Sequence, residues 1–110
     1  TDDMIKTSGA NVAPVEVEAV IGRVDGVRIA YVVGVPDVDK GALVSAVVVL
    51  NDGRHTSQDE LVAACRKELA AYKVPKRWVI LPDADRLPYT TTNKIDKSRL
   101  VQLLASGELA

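Results

Sequence analysis

The spacing of apolar and polar positions changes period several times along the chain, and each change marks an element. Met4–Thr7 and Ala10–Ala13 flank Ser8-Gly9, where the glycine is free to take positive φ. They predict a short hairpin or two short extended arms. Pro14 suits the first turn of a helix, where its missing N–H is no loss. Val17, Val20, Ile21 and Val24 fall at i, i+3, i+4 and i+7, which predicts one buried helical face, ended by Asp25-Gly26. Val27–Val35 is apolar and β-branched and reads as a strand, Pro36–Gly41 as a turn, and Leu43–Leu50 as a second strand antiparallel to the first. Beyond the polar loop Asn51–Thr56, Ser57 with Glu60 forms a capping-box signature, and Leu61, Cys65 and Leu69 make the stripe of the next helix. Lys73-Val-Pro-Lys76 breaks that helix, Arg77–Leu81 is a short strand, and Pro82–Arg86 a loop. The pattern closes on a helix from about Asp96 to Ala105, capped by Asp96 and ended by Gly107.

This order predicts a single α+β domain over residues 1–110. Its sheet is small and mostly antiparallel, with three main strands plus the N-terminal hairpin, and about three helices pack against it. No repeat, low-complexity tract or linker interrupts it. Composition adds that the core is built from Val, Leu, Ile and Ala, because aromatic content is 4% and Phe is absent. A net charge of −1 gives no electrostatic argument for nucleic acid or for a membrane surface. Cys65 is the single cysteine, which forbids an internal disulfide and fits a reducing, cytoplasmic compartment. The longest apolar run, Leu43–Leu50, has strand length and falls far short of a membrane span. The N-terminus lacks the basic region and apolar stretch of a secretory signal, and Thr1 reads as a cut within a longer protein.

Candidate chemistry gathers at the two ends. Lys94 follows the polar stretch Thr90-Thr-Thr-Asn93 and stands just ahead of a helix start. A lysine held on such a loop reaches out of its own domain and places a positive charge on a substrate bound elsewhere. Lys6 lies on a second polar, Gly-bearing loop that also feeds a helix. Two lysine-bearing loops suggest a lid working against a partner. Glu16 and Glu18, two residues apart on a helix, point in different directions, so helix-terminus electrostatics explains them better than paired acid–base chemistry. His55 stands in a polar loop with no Ser or Cys partner at motif spacing and is expected in solvent, while Cys65 is expected in the core. No metal-ligand cluster is evident.

Four ordered segments carry a family resemblance. Asp2-Asp-Met-Ile-Lys-Thr-Ser-Gly-Ala-Asn-Val-Ala-Pro-Val-Glu-Val-Glu18 resembles the first core motif of the C-terminal domain of adenylate-forming enzymes, the superfamily of acyl- and aryl-CoA ligases, firefly-type luciferases and peptide-synthetase adenylation domains. Gly34-Val-Pro-Asp37 with Gly41 looks like its Gly-x-Pro-Asp turn, and Leu69-Ala-Ala-Tyr-Lys-Val-Pro-Lys76 its Leu-x-x-Tyr-Lys-Val-Pro segment. Leu87-Pro-x-Thr with Asn93-Lys-Ile-Asp-Lys97 is similar to the final motif, Pro-x-Thr-x-x-Gly-Lys-Ile-x-Arg/Lys, with Asn93 where the family usually has Gly.

The resemblance implies the small mobile domain of a two-step ligase, working against a large N-terminal domain that holds most of the ATP and acyl pocket. Carboxylate and ATP give acyl-adenylate and pyrophosphate, and the acyl group then passes to the thiol of coenzyme A. In that frame Lys94 is the adenylation lysine and Asp2 the hinge residue. Gly9, with Ser8, lets the chain approach the pantetheine arm. Lys6 serves the second half-reaction, and Asn11, where Gln is commoner, hydrogen-bonds the adenylate phosphate. Lys73 touches the coenzyme phosphates, and Val74 and Pro75 are structural. Mg²⁺ arrives with ATP and is held mainly by the N-terminal domain. The Ser-Gly-x-Asn-Val-x-Pro-x-Glu-Val-Glu form of the first motif favours a fatty- or other carboxylic-acid:CoA ligase. The alternatives are the lid of a peptide-synthetase adenylation domain and a free-standing binding or regulatory module that kept the fold and lost catalysis.

Overall fold

A computed structural model describes residues 3–109. The elements run β1 (Ile5–Thr7), β2 (Ala10–Val12), α1 (Pro14–Gly22), β3 (Val27–Asp37), β4 (Gly41–Leu50), α2 (Gln58–Glu68), a 3₁₀ turn at Ala71–Lys73, β5 (Arg77–Leu81) and α3 (Lys97–Ser106). The class is α+β, as the sequence predicts. Most of the five-stranded sheet is antiparallel: β1 pairs with β2, β3 with β4 along its length, and β1 meets the start of β4 at Thr7 and Gly41. The exception is β5, which lies parallel to β4 from Ser45 to Val49. A parallel neighbour requires a crossover, and α2 supplies it.

The sheet carries helices on both faces. Val44, Ala46, Val48 and Leu50 of β4 join Val17, Ile21, Leu61 and Cys65 in a core under α1 and α2. Val47 and Val49, on the opposite side of the pleat, join Val33, Val79, Leu100 and Leu104 under α3. This is why β4 reads as an unbroken apolar run, for a strand covered on both faces has no polar side to alternate with. Ser45 is the polar interruption, and its buried hydroxyl donates to the Leu43 carbonyl at 3.0 Å.

Several boundaries differ from expectation, two of them for a clear physical reason. Helix α1 stops at Gly22 rather than running to Asp25, with Arg23 and Val24 N–H groups turning back to the Val20 and Ile21 carbonyls in a tightened last turn. Strand β3 continues through Gly34 and Pro36 to Asp37 instead of turning at Pro36. Proline is tolerated there because β3 borders the sheet, with one edge unpaired by any strand among the described residues. The turn itself is Val38–Lys40, where the Asp37 carboxylate accepts from the Asp39 and Lys40 N–H groups. Helix α2 starts on the expected Ser57–Glu60 capping box, and α3 runs from an Asp96 cap to a left-handed Gly107.

Candidate functional site

The loop that bears Lys94 is a small ribbon rather than a free coil. Tyr89 and Ile95 form an antiparallel bridge, and the Asp96 N–H donates to the Pro88 carbonyl at 3.0 Å. Inside this frame the Thr90 N–H donates to the Lys94 carbonyl at 2.7 Å, and the Asn93 N–H to the Thr90 carbonyl at 2.9 Å. The Thr90 hydroxyl oxygen accepts from the Lys94 N–H at 3.2 Å and lies 3.1 Å from that of Thr92. Closing so tight a turn demands a left-handed residue, and Asn93 supplies it at φ 64°. The amide residue therefore does what glycine would do at this place. Beyond the ribbon, Asp96 caps α3 by accepting from the Arg99 N–H at 3.0 Å. Lys94 is exposed on this braced stem, and its ammonium makes no ion pair among the described residues. Asn93→Val should destabilise the chain by about 1–2 kcal/mol, because a β-branched residue resists the left-handed region, while Asn93→Gly should lie within a few tenths of wild type. Urea unfolding of the two variants checks this.

The N-terminal hairpin is built by the same logic. Ser8 and Gly9 both take positive φ, 50° and 83°, the pairing that a tight hairpin turn requires. Register places Lys6 directly opposite Asn11. Ile5, Thr7 and Val12 are buried, so the alternation turns Lys6 and Asn11 outward together, an amine beside an amide. The Ser8 N–H donates to the Lys40 carbonyl at 2.8 Å and fixes the hairpin tip to the β3–β4 turn. An open cleft of about 680 Å³ lies between them, with Lys6, Ser8, Gly9 and Lys40 on its walls. A Cβ on Gly9 would meet nothing among the described residues within 4 Å, so within this domain it is φ that favours glycine. A smaller cleft of about 260 Å³ is shared by Lys6, Met4, Gly34, Lys97 and Ser98. The fold thus brings the hairpin against the start of α3, although the two lie at opposite ends of the sequence.

A family model described as the AMP-binding enzyme C-terminal domain matches residues 16–94, from the start of α1 through Lys94. The chain belongs to this family. Among its relatives, the 4-chlorobenzoate–CoA ligase of Pseudomonas sp. (strain CBS-3) is 41% identical over 110 residues, covering 99% of this chain and 20% of that protein. A long-chain-fatty-acid–CoA ligase of Mycobacterium tuberculosis (strain ATCC 25618 / H37Rv) is 40% identical over 98 residues, covering 89% and 19%. Among solved structures, ATP-bound MatB from Rhodopseudomonas palustris superposes with a TM-score of 0.86 at 33% identity, over 94% of this chain and 20% of that one. The chain therefore spans about a fifth of the length of the curated relatives it matches.

The remaining candidates of this family domain are placed as follows. Lys73 does not stand free: its ammonium is 2.8 Å from Glu16 Oε1 and 5.9 Å from the centre of the Tyr72 ring. The hydrogen bond to Glu16 holds its pKa above the usual lysine value. Glu16 thus serves a specific partner in addition to any effect of the helix terminus. Asp2, the expected hinge, lies outside the described residues. Val74 is buried, and the Pro75 carbonyl accepts from the Trp78 indole N–H at 2.8 Å. His55 is exposed. No group of three or more His, Cys, Asp or Glu residues is arranged for a metal among the described residues. Nor is any helix among them long and apolar enough to cross a membrane.

Two ties escaped the sequence reading. Glu18 accepts the Val32 N–H at 2.8 Å and the Lys97 ammonium at 3.0 Å. Tyr31 of β3 interacts with Tyr89 at the base of the Lys94 ribbon, and burial first, then that partner, push its phenol up to about 12. Neither had a local signal, because the partners are distant in sequence. Cys65 is buried under α2, and burial, aided by the Glu68 charge, pushes its thiol up to about 11. Native chain should therefore resist iodoacetamide at about pH 8 and react once unfolded in urea. Labelling followed by mass spectrometry reads the outcome, and fast native labelling would contradict the packing described.

Proposed function

We propose that this chain is the C-terminal lid domain of an ATP-dependent, AMP-forming acid–CoA ligase, acting in the cytoplasm against its own N-terminal domain. The observation that carries the reading is Lys94, whose ammonium has no ion-pair partner among the described residues and is braced on a hydrogen-bonded ribbon within the span that matches the family. In adenylation, negative charge builds between the carboxylate and the α-phosphate as pyrophosphate leaves. A cation held there stabilises the transition state more than the ground state. The ribbon fixes the lysine backbone beforehand, so little ordering remains to be done as charge develops. In the second step, the outward-facing Lys6 and Asn11 and the open space at Ser8 and Gly9 form the approach for coenzyme A. Lys73 would reach the coenzyme phosphates only by leaving Glu16.

Mg²⁺ belongs in this reading with ATP. In this reading the ion is held mainly by the N-terminal domain, which agrees with the lack of a group of three or more His, Cys, Asp or Glu residues arranged for a metal among the described residues. The acid substrate is a carboxylic acid chosen by that same domain. The relatives include ligases named for an aryl acid and for long-chain fatty acids, and the lid is compatible with both.

The test compares the parent protein with residues 1–110 alone. The parent should release pyrophosphate on addition of ATP, Mg²⁺ and a member of a panel of aryl and fatty acids, and should form the CoA thioester. The isolated chain should do neither, because Lys94 has no adenylate site to serve. Turnover by the isolated chain would overturn the lid reading, and a parent inert toward the whole panel would favour a non-catalytic binding module.

A further inference from the structure

We infer that the Glu18–Lys97 pair is a positioning device that sets where the Lys94 ribbon stands relative to the chain entering the domain. The inference rests on the functional reading above. Glu18 closes the first motif and Lys97 the last, and the proposed chemistry uses neither. The fold brings them together across most of the sequence, with Lys97 Nζ 3.0 Å from Glu18 Oε2.

What they hold is a backbone unit. Val32 lies on β3, whose outer edge has no strand partner among the described residues. Its N–H donates to Glu18 Oε2 at 2.8 Å, and its carbonyl accepts from Lys97 Nζ at 3.3 Å. One carboxylate and one ammonium thus satisfy both backbone groups of a single edge residue, which an unpaired strand edge would otherwise leave to water or to another chain. The sense of the pair is fixed by this arrangement: the acceptor must come from α1 and the donor from α3. Both side chains are partly buried, 21% and 29% exposed, so salt screens them less than a surface pair.

The same ammonium lies 3.6 Å from Asp3 Oδ2. Asp3 is the first described residue and follows the expected hinge directly. Lys97 is also the first residue of α3, adjoining the Asp96 that closes the Lys94 ribbon. One cation therefore joins α1, β3, the entering chain and the C-terminal end of the catalytic loop. The ribbon's internal hydrogen bonds are local and survive without Lys97. What is lost is the ribbon's orientation, which is the quantity a lid delivers when it carries a charge into another domain's site.

The test uses the parent ligase with Lys97→Met, which keeps a long apolar stem and removes the charge and the donor. Acid-dependent pyrophosphate release should fall on the order of 10- to 100-fold, in kcat rather than in KM for ATP, as misplacement of a reacting group predicts. Acyl transfer from preformed acyl-adenylate to CoA should change by less than about threefold, and Lys97→Arg should restore most of the adenylation rate. Glu18→Gln keeps an acceptor for Val32 while removing the charge that holds Lys97, and it should lose adenylation selectively too. It decides the matter if Lys97→Met fails to fold. Parallel loss of both half-reactions, in step with loss of folded protein by circular dichroism, would assign the pair a merely structural role and overturn the inference. Unchanged adenylation in folded variants would also overturn it. Lys94→Ala run alongside separates the two levels. If it too leaves adenylation intact, the functional reading fails, whereas a loss with Lys94→Ala alone removes only the role of Lys97.

Discussion

Replacing Lys94 by Ala in the parent protein should, on the function proposed above, slow acid-dependent pyrophosphate release by about 10²- to 10³-fold, or roughly 3–4 kcal/mol of transition-state stabilisation. The magnitude follows from position. A solvated surface lysine costs nothing to remove, but one placed against developing charge in a closed, water-poor site acts where the effective dielectric is low. The deletion should not disturb folding, since the Lys94 side chain is exposed and the ribbon is held by backbone groups and by Thr90. Thermal unfolding of Lys94→Ala should accordingly overlay that of wild type. Lys94→Arg keeps the charge but presents a broad planar group in place of a compact one, so partial activity is expected. A rate deficit in Lys94→Ala that tracked a loss of folded protein would show that the lysine acts through stability, contrary to this account.

Gly34→Val should be the most damaging single change to the fold near the site. Gly34 lies inside β3, and a Cβ built there falls 2.9 Å from Ile5 Cγ2 and 3.2 Å from the Ala42 Cβ. Ile5 is a buried anchor of the N-terminal hairpin, with 4% of its surface exposed. Valine would satisfy the strand's preference for β-branching, yet there is no room for it. Overpacking of this kind costs about 1–3 kcal/mol. Relief would come from lifting the hairpin, because its contact with the sheet is short, a pairing of Thr7 with Gly41. Lys6, Ser8, Gly9 and Asn11 would move with it. Urea unfolding should show the loss, and a second change, Ile5→Ala, should recover part of it in the Gly34→Val background although it destabilises wild type. Strict additivity of the two would mean that the clash does not govern the effect.

These positions also show what the sequence can and cannot disclose. The Ser8-Gly9 hairpin, the Ser57–Glu60 box and the Asp96 cap were all legible, since each depends on neighbours within a few residues. The apolar pattern placed Gly34 within the strand Val27–Val35, and the family resemblance placed it at the start of a Gly-x-Pro-Asp turn, but neither showed why the residue has to be small. Its actual requirement comes from Ile5, on a strand far earlier in the chain. The parallel placement of β5 and the burial of β4 on both faces were likewise hidden, for apolar runs do not announce how many layers cover them. At the candidate site, Lys94 and Lys6 were singled out through motif context, and Lys73 was proposed without its Glu16 partner. Glu18 was treated as a helix-end charge, although its carboxylate binds β3 and α3. Ion pairs of such sequence separation leave no periodicity to read, and they become visible only when the topology is known.

On the proposed function, one small domain serves two half-reactions with different residues, Lys94 for adenylation and Lys6 on the hairpin for thioester formation. The most direct test supplies preformed acyl-adenylate and CoA to the parent protein and measures single-turnover transfer in Lys94→Ala and Lys6→Ala side by side. Transfer near the wild-type rate in Lys94→Ala, with a clear loss in Lys6→Ala, is the predicted result. Equal loss in both variants, or transfer abolished by Lys94→Ala alone, would contradict the division of labour on which the account stands.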